Sequence, residues 1–238
     1  MDTSYSSDNN ISITSLHYTD THMLHDAEET EIHRAAEQNH VERMKELIDR
    51  DPTLLNIQDR DGKTPLHIAC EMNNTEAAEC LLSNPDCLVY IADNCKKYAL
   101  HYAAENGNVD IMELLLKREA EVSEILNKQD VNGETALYLA CIYGRKEAVK
   151  LLLRHPRCLV NVDDKKIPLH CAAKNGYVEI MKLLLERDST LLNKQDKNGE
   201  TTLHLACAVV SSKNSSQLWN SSVKPRSGHQ KSVNCRNV

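Results

Sequence analysis

Two pairs of side chains in this 238-residue sequence have a spacing that could hold a metal. His67/Cys70 and His204/Cys207 stand three apart, which on a helix brings both to one face. A structural metal site needs four converging donors, and the same positions recur along the chain with Tyr138 in place of His beside Cys141. A metal role fails at Tyr138; a packing role for the small Cys does not. Gly62-Lys63-Thr64 has the end of a phosphate loop, but the Gly required five residues before Gly62 is Ile57. Asp59-Arg60-Asp61-Gly62 has the centre of a calcium loop, and its first ligand position is again Ile57. No nucleophile elbow, zinc-protease motif or kinase set occurs. The expectation is therefore no catalytic residue, no metal and no cofactor.

The elements that carry these residues must be built without bulky aromatics. Phe is absent, Trp occurs once, and 41% of the chain is hydrophobic. Such a core rests on Leu, Ile, Val, Ala and Met, which favours helices in close contact. The net charge of −7 argues against a nucleic-acid binder. No apolar run approaches the roughly 20 residues of a membrane helix, so no membrane insertion is expected. Nine cysteines, an odd number, with no apolar leading segment, suit reduced thiols in cytosol or nucleus, and a cytoplasmic chain is expected. Residues 1–30 hold six acids and no Lys or Arg, whereas 211–238 hold five cations and no acid. Composition reads the first as an acidic disordered tail and the second as a basic, Ser/Asn-rich one.

Between them the chain repeats. Thr64-Pro65-Leu66-His67-Ile68-Ala69-Cys70 is echoed from Tyr98, Thr135, Ile167 and Thr201, with anchoring leucines at 66, 100, 137, 169 and 203. Thr then Pro opens a helix, hydroxyl at the cap and Pro in the first turn. Gly107, Gly144 and Gly176 suit left-handed ends of those helices. Amphipathic second helices follow, as in Val109 to Leu116. Asp-x-Asn-Gly at 130–133 and 196–199, and Asp-x-Asp-Gly at 59–62, suit tight tips. Residues 32–59 align without a gap onto 169–196, with 16 of 28 identical, so a further copy precedes the first obvious one. Repeats then start near 31, 62, 96, 133, 165 and 199 and fill residues 31–210. They alternate in type, which points to duplication of a two-repeat unit; the fourth tip is two residues short.

A period near 33 with this T-P-L-H-x-A signature resembles the ankyrin repeat over residues 31–208. The resemblance implies an all-α solenoid of stacked helix-turn-helix repeats with hairpin tips. It implies that the His links successive loops by hydrogen bonds. It also implies a non-catalytic scaffold that binds another protein through the tips and the inner-helix residues after the Ala pair. Carried over by motif position, the tips supply Arg60, Lys63, Lys96, Lys97, Val131, Glu134, Lys165, Lys166, Lys197 and Glu200. The inner helices add Glu71, Met72, Glu105, Asn106, Ile142, Tyr143, Lys174 and Asn175. Ile142-Tyr143 is an apolar pair where polar residues are expected; it reads either as a contact hot spot or as packing on its own turn. The partner's identity is not written in these positions, and a monomer is expected.

After Cys207 the glycine turn and second helix do not follow, so Leu203, Leu205 and Val209 are expected to lack cover. Two readings stand: an array cut short from a longer protein, or a fold-back of Leu218, Trp219 and Val223 as a cap. Long arrays with Leu-Leu-Asn-x-Gln-Asp joints also resemble the cytosolic N-terminal arrays of transient-receptor-potential A-type cation channels. That likeness implies an alternative, a fragment of such a channel's array at the cytosolic face of a membrane.

Overall fold

The structure, a computed structural model, describes residues 31–162 and 166–208. Its helices come in antiparallel pairs. Residues 31–37 (α1) pair with Val41–Arg50 (α2), Pro65–Glu71 (α3) with Thr75–Leu82 (α4), and Ala99–Asn106 (α5) with Val109–Leu116 (α6). A short extra helix, Glu119–Ile125 (α7), follows. Then Ala136–Ile142 (α8) pairs with Lys146–Arg154 (α9), and Pro168–Asn175 (α10) with Val178–Arg187 (α11); residues 202–208 (α12) start a sixth repeat. Helices α3, α5, α8 and α10 stack in one inner row, and α2, α4, α6, α9 and α11 in an outer row. No strand forms among the described residues, only isolated bridges at Ala92/Tyr98 and Gln195/Thr201. The fold is an all-α solenoid.

The start of each inner helix follows from local chemistry. The Thr64 hydroxyl accepts the His67 amide, the His67 Nδ1 accepts the Thr64 amide at 3.1 Å, and Pro65 occupies the first turn. Leu66, Leu100, Leu137 and Leu169 sit at one register and are all buried, as are Cys70 and Cys141. Gly107, Gly144 and Gly176 have φ of 76°, 68° and 74°, as the left-handed helix ends require. At Gly107 a Cβ would also lie 2.7 Å from the Arg145 side chain. Asn39 and Asn73 hold the same left-handed position in the first two repeats, with φ of 57° and 62°. Asn is the non-glycine residue that tolerates it best.

The alternation of repeat types has a physical basis. In the Leu-Asn-x-Gln-Asp joints, Asn56 donates to the Asp86 carbonyl and accepts the Leu88 amide. Asn127 does the same with Arg157 and Leu159. Each Asn thus clasps the Pro-x-Cys turn of the following repeat. Arg118 clasps the preceding one, donating to the carbonyls of Pro85 and Cys87 at 2.9 Å each, and Arg187 donates to that of Pro156 at 2.9 Å. Repeats one and five match in detail: Asp51 and Asp188 each cap a five-residue 3₁₀ turn, Pro52–Asn56 and Ser189–Asn193. In the third repeat α7 stands where those turns stand. It accounts for the step of 37 between Leu100 and Leu137, and sequence periodicity did not foresee it.

The ladder is bare at its last step. Leu203 is 59% exposed, whereas its four counterparts are at most 2% exposed. Cys207 is exposed too, so the packing role read for this motif position holds at Cys70 and Cys141 and not here. The reason is that no described helix stacks beyond α12. Val209, Leu218, Trp219 and Val223, and the tails 1–30 and 211–238, lie outside the described residues.

Candidate protein-interaction groove

Four tips among the described residues are turns held by one carboxylate each. Asp59 Oδ1 accepts the amides of Asp61 and Lys63 at 2.9 and 2.8 Å, and Asp93, Asp130 and Asp196 repeat this with their own second and fourth neighbours. Gly62, Gly133 and Gly199 take the left-handed corner; at the second tip Lys96 takes it, with φ of 57°. Tips are also tied to one another: the Asn94 amide donates to the Asp61 carbonyl at 3.0 Å and the Val131 amide to that of Cys95 at 2.9 Å.

The motif histidines stitch inner helices to the next tip, at His33 and His67, or to the joint that leads into it, at His101 and His170. His33, His67, His101 and His170 place Nε2 at 3.0 to 3.2 Å from the carbonyls of Lys63, Lys97, Lys128 and Lys194. Burial is the main reason His67 titrates low, at about 4, and it lowers His101 and His170 as well. Both ring nitrogens of His67 are engaged by the array, which leaves neither for a metal. Among the described residues no cluster of three or more His, Cys, Asp or Glu could hold one. The thiols are shifted away from reactivity: burial pushes Cys70 and Cys141 well up and Cys87 and Cys158 to about 12.

Among the described residues, clefts lie between the tips and the inner helices at two places. The first, about 330 Å³, is lined by Glu71, Cys95, Lys97, Tyr102, Glu105, Asn106, Val131 and Asn132. Here Lys63 pairs with Glu71 at 2.6 Å and Lys97 with Glu105 at 2.9 Å. Both ammonium groups face the Tyr102 ring, 5.3 and 5.0 Å from its centroid. The Tyr102 hydroxyl donates to Asp93 Oδ2 at 2.6 Å. Burial, then that bond, pushes its pKa up. Burial opposes the Lys97 charge, but the hydrogen bond and charge of Glu105 outweigh it and leave its pKa raised.

The second cleft, about 410 Å³, is lined by residues that include Tyr138, Ile142, Cys171, Lys174, Asn175, Lys197 and Glu200. The position held by Glu71 and Glu105 is now Ile142, then Lys174. Glu134 therefore has no partner on its own inner helix and pairs with Lys166 of the next repeat at 2.8 Å, with Lys166 Nζ 5.2 Å from the Tyr138 ring centroid. Lys174 and Lys197 are exposed and form no ion pair among the described residues. Tyr143 is 48% exposed and reaches back toward the preceding repeat, where hydrogen bonding and charge at Glu105 raise its pKa.

The structure thus sorts the sequence-derived residues. Lys63, Glu71, Lys97, Glu105, Glu134 and Lys166 are tied to one another. Asn106 spends its amide on the Cys70 and Glu71 carbonyls, and Asn175 donates to that of Cys171. Met72, at 44%, and Val131, at 56%, stand exposed, as do Arg60 and Lys96. Lys165 lies outside the described residues. Sequence reasoning missed Tyr102, whose position within the Leu-His-x-Ala motif reads as packing; the lysines on either side of it are visible only in three dimensions.

The ankyrin-repeat family model matches residues 4–90, 86–164 and 156–214. The chain belongs to the ankyrin-repeat family. The first match begins within the acidic segment before α1. An ankyrin repeat-containing protein of Arabidopsis thaliana is 38% identical over 64 residues, 26% of this chain and 12% of that protein. Human inversin is 38% identical over 90 residues, 35% of this chain and 8% of its own length. The chain thus spans only a small part of these relatives. Among solved structures, the ankyrin repeat domain of Bcl-3, a member of the IkappaB family, superposes with a TM-score of 0.64 at 25% identity, over 74% of this chain and 78% of that one. Ankyrin repeats are a general, non-catalytic protein-interaction module, and this array has that architecture.

Proposed function

We propose that this ankyrin array is a scaffold that holds one protein partner in the groove between its tips and inner helices, centred on the fourth and fifth repeats. The observation that carries this is Ile142, which lines the 410 Å³ cleft at a position that in the two preceding repeats is a paired acid, followed by the half-exposed Tyr143. Aromatic side chains in such settings concentrate binding energy. The eight described cysteines are free thiols, most of them buried, which supports placing the chain in the reducing cytoplasm.

The test is affinity capture with the full chain and with Tyr143→Ala. Recovery of a partner should fall severalfold in the variant while its helical circular dichroism is unchanged. Equal recovery by the two proteins removes this groove as the binding site.

A further inference from the structure

Resting on that reading, we infer that the partner presents an extended segment with an aliphatic side chain next to a carboxylate, the first on Ile142 and Tyr143 and the second between Lys174 and Lys197. The charge ladder along the groove points to this ligand. In the second and third repeats the tip lysine that faces the inner helix is already matched, Lys63 by Glu71 and Lys97 by Glu105, while the outer tip cations Arg60 and Lys96 stand exposed away from the cleft lining. A partner carboxylate there would have to displace an acid the chain provides itself. In the fourth repeat the acid is replaced by Ile142, and in the fifth by Lys174. Lys166, facing a like charge at Lys174 on its own inner helix, turns back to Glu134 instead. Lys174 is left exposed at the cleft with no ion pair among the described residues, and Lys197 stands on the next tip along the same cleft.

Of the two acids that line this cleft, Asp196 is occupied by the amides of Asn198 and Glu200, and Glu200 is solvent-exposed. The surrounding field agrees: residues 31–132 carry 11 Lys and Arg against 20 Asp and Glu, whereas 133–208 carry 12 against 9. A negatively charged segment is thus repelled along the first three repeats and attracted at the last three. The apolar Ile142-Tyr143 pair excludes a purely acidic ligand as the best fit, because burying it needs an apolar counterpart.

The experiment is selection from a random dodecapeptide phage library on the immobilised full chain, followed by fluorescence anisotropy with the most enriched peptide. Enriched sequences should place Asp or Glu within three residues of Leu, Ile or Val. Affinity should fall tenfold or more in Lys174→Glu and severalfold in Lys174→Gln. Lys150→Glu, the same charge change on the outer helix, should leave it unaltered. Equal losses in Lys174→Glu and Lys150→Glu would overturn the inference, since only net charge would then matter. Acid-free peptides whose binding still falls in Tyr143→Ala would overturn the acidic class and leave the groove standing. Peptides indifferent to both Tyr143 and Lys174, or no enrichment at all, would remove both. Binding seen only after residues 1–30 are deleted would assign the cleft to the chain's own acidic segment and overturn a foreign partner.

Discussion

The second and third repeats and the fourth and fifth share a scaffold and differ in what they show to solvent. Leu100 and Leu169 are equally buried, and His101 and His170 make the same bond to the joint before the next tip. Gly107 and Gly176 turn the same corner. Yet one groove neutralises its own charges and the other leaves an apolar pair and unmatched cations. The lesson is that the packing register is kept while two groove positions, Glu become Ile142 and then Lys174, leave Glu134 and Lys166 to pair with each other. A tip lysine is not free because it is at a tip; it is free only when the helix residue eight positions on supplies no acid.

The broadest way to break this comparison is to ask whether the scaffolds are truly equivalent. Leu100→Ala and Leu169→Ala should each cost about 2–5 kcal/mol by the usual range for buried Leu truncation, read from urea unfolding. A difference of several kcal/mol between them would mean that the two regions differ in packing as well as surface.

Acid should test the first region through His67. Its folded pKa of about 4 lies below the ordinary value near 6.5, so between those values the unfolded chain binds a proton that the folded chain does not. Stability is therefore full above about pH 6.5 and falls as pH drops toward 4, by on the order of 3 kcal/mol for a shift of this size. His67→Gln should flatten that part of the stability–pH curve. An unchanged slope would show that other groups dominate acid unfolding.

Smaller effects sharpen the contrast in the grooves. Glu105→Gln should cost about 1 kcal/mol or less, as expected for a partly exposed pair, and should free Lys97. If the contrast is one of charge matching, this variant should gain affinity for the acidic peptides of the fifth-repeat cleft. Ile142→Glu should do the reverse, completing the ladder in the fourth repeat. Its stability should change by roughly 0.5 kcal/mol or less, as for most changes at partly exposed sites, while partner capture is lost. Retained capture would separate the apolar pair from binding.

Much of this was legible in the residues. The leucine spacing gave the register of the inner row, and Thr-Pro, the glycines and the Asp of each tip gave their local geometry. These features act through near neighbours in the chain, so a one-dimensional reading reaches them. Asn39 and Asn73 were missed as left-handed corners although they stand where later repeats have Gly; the periodic alignment held the signal. Helix α7 was missed because the step of 37 showed extra residues without their conformation.

The amino-acid sequence by itself determined a stack of helical pairs, because each repeat's apolar face can be buried only against its sequence neighbours. Only the tertiary structure decided which charged groups are spoken for. Lys63 and Lys166 hold equivalent tip positions, yet one closes on its own helix and the other crosses to Glu134 of the preceding repeat. That choice depends on distances of a few ångströms between side chains from different repeats, and charge attraction at such range is set by three-dimensional placement and not by order along the chain.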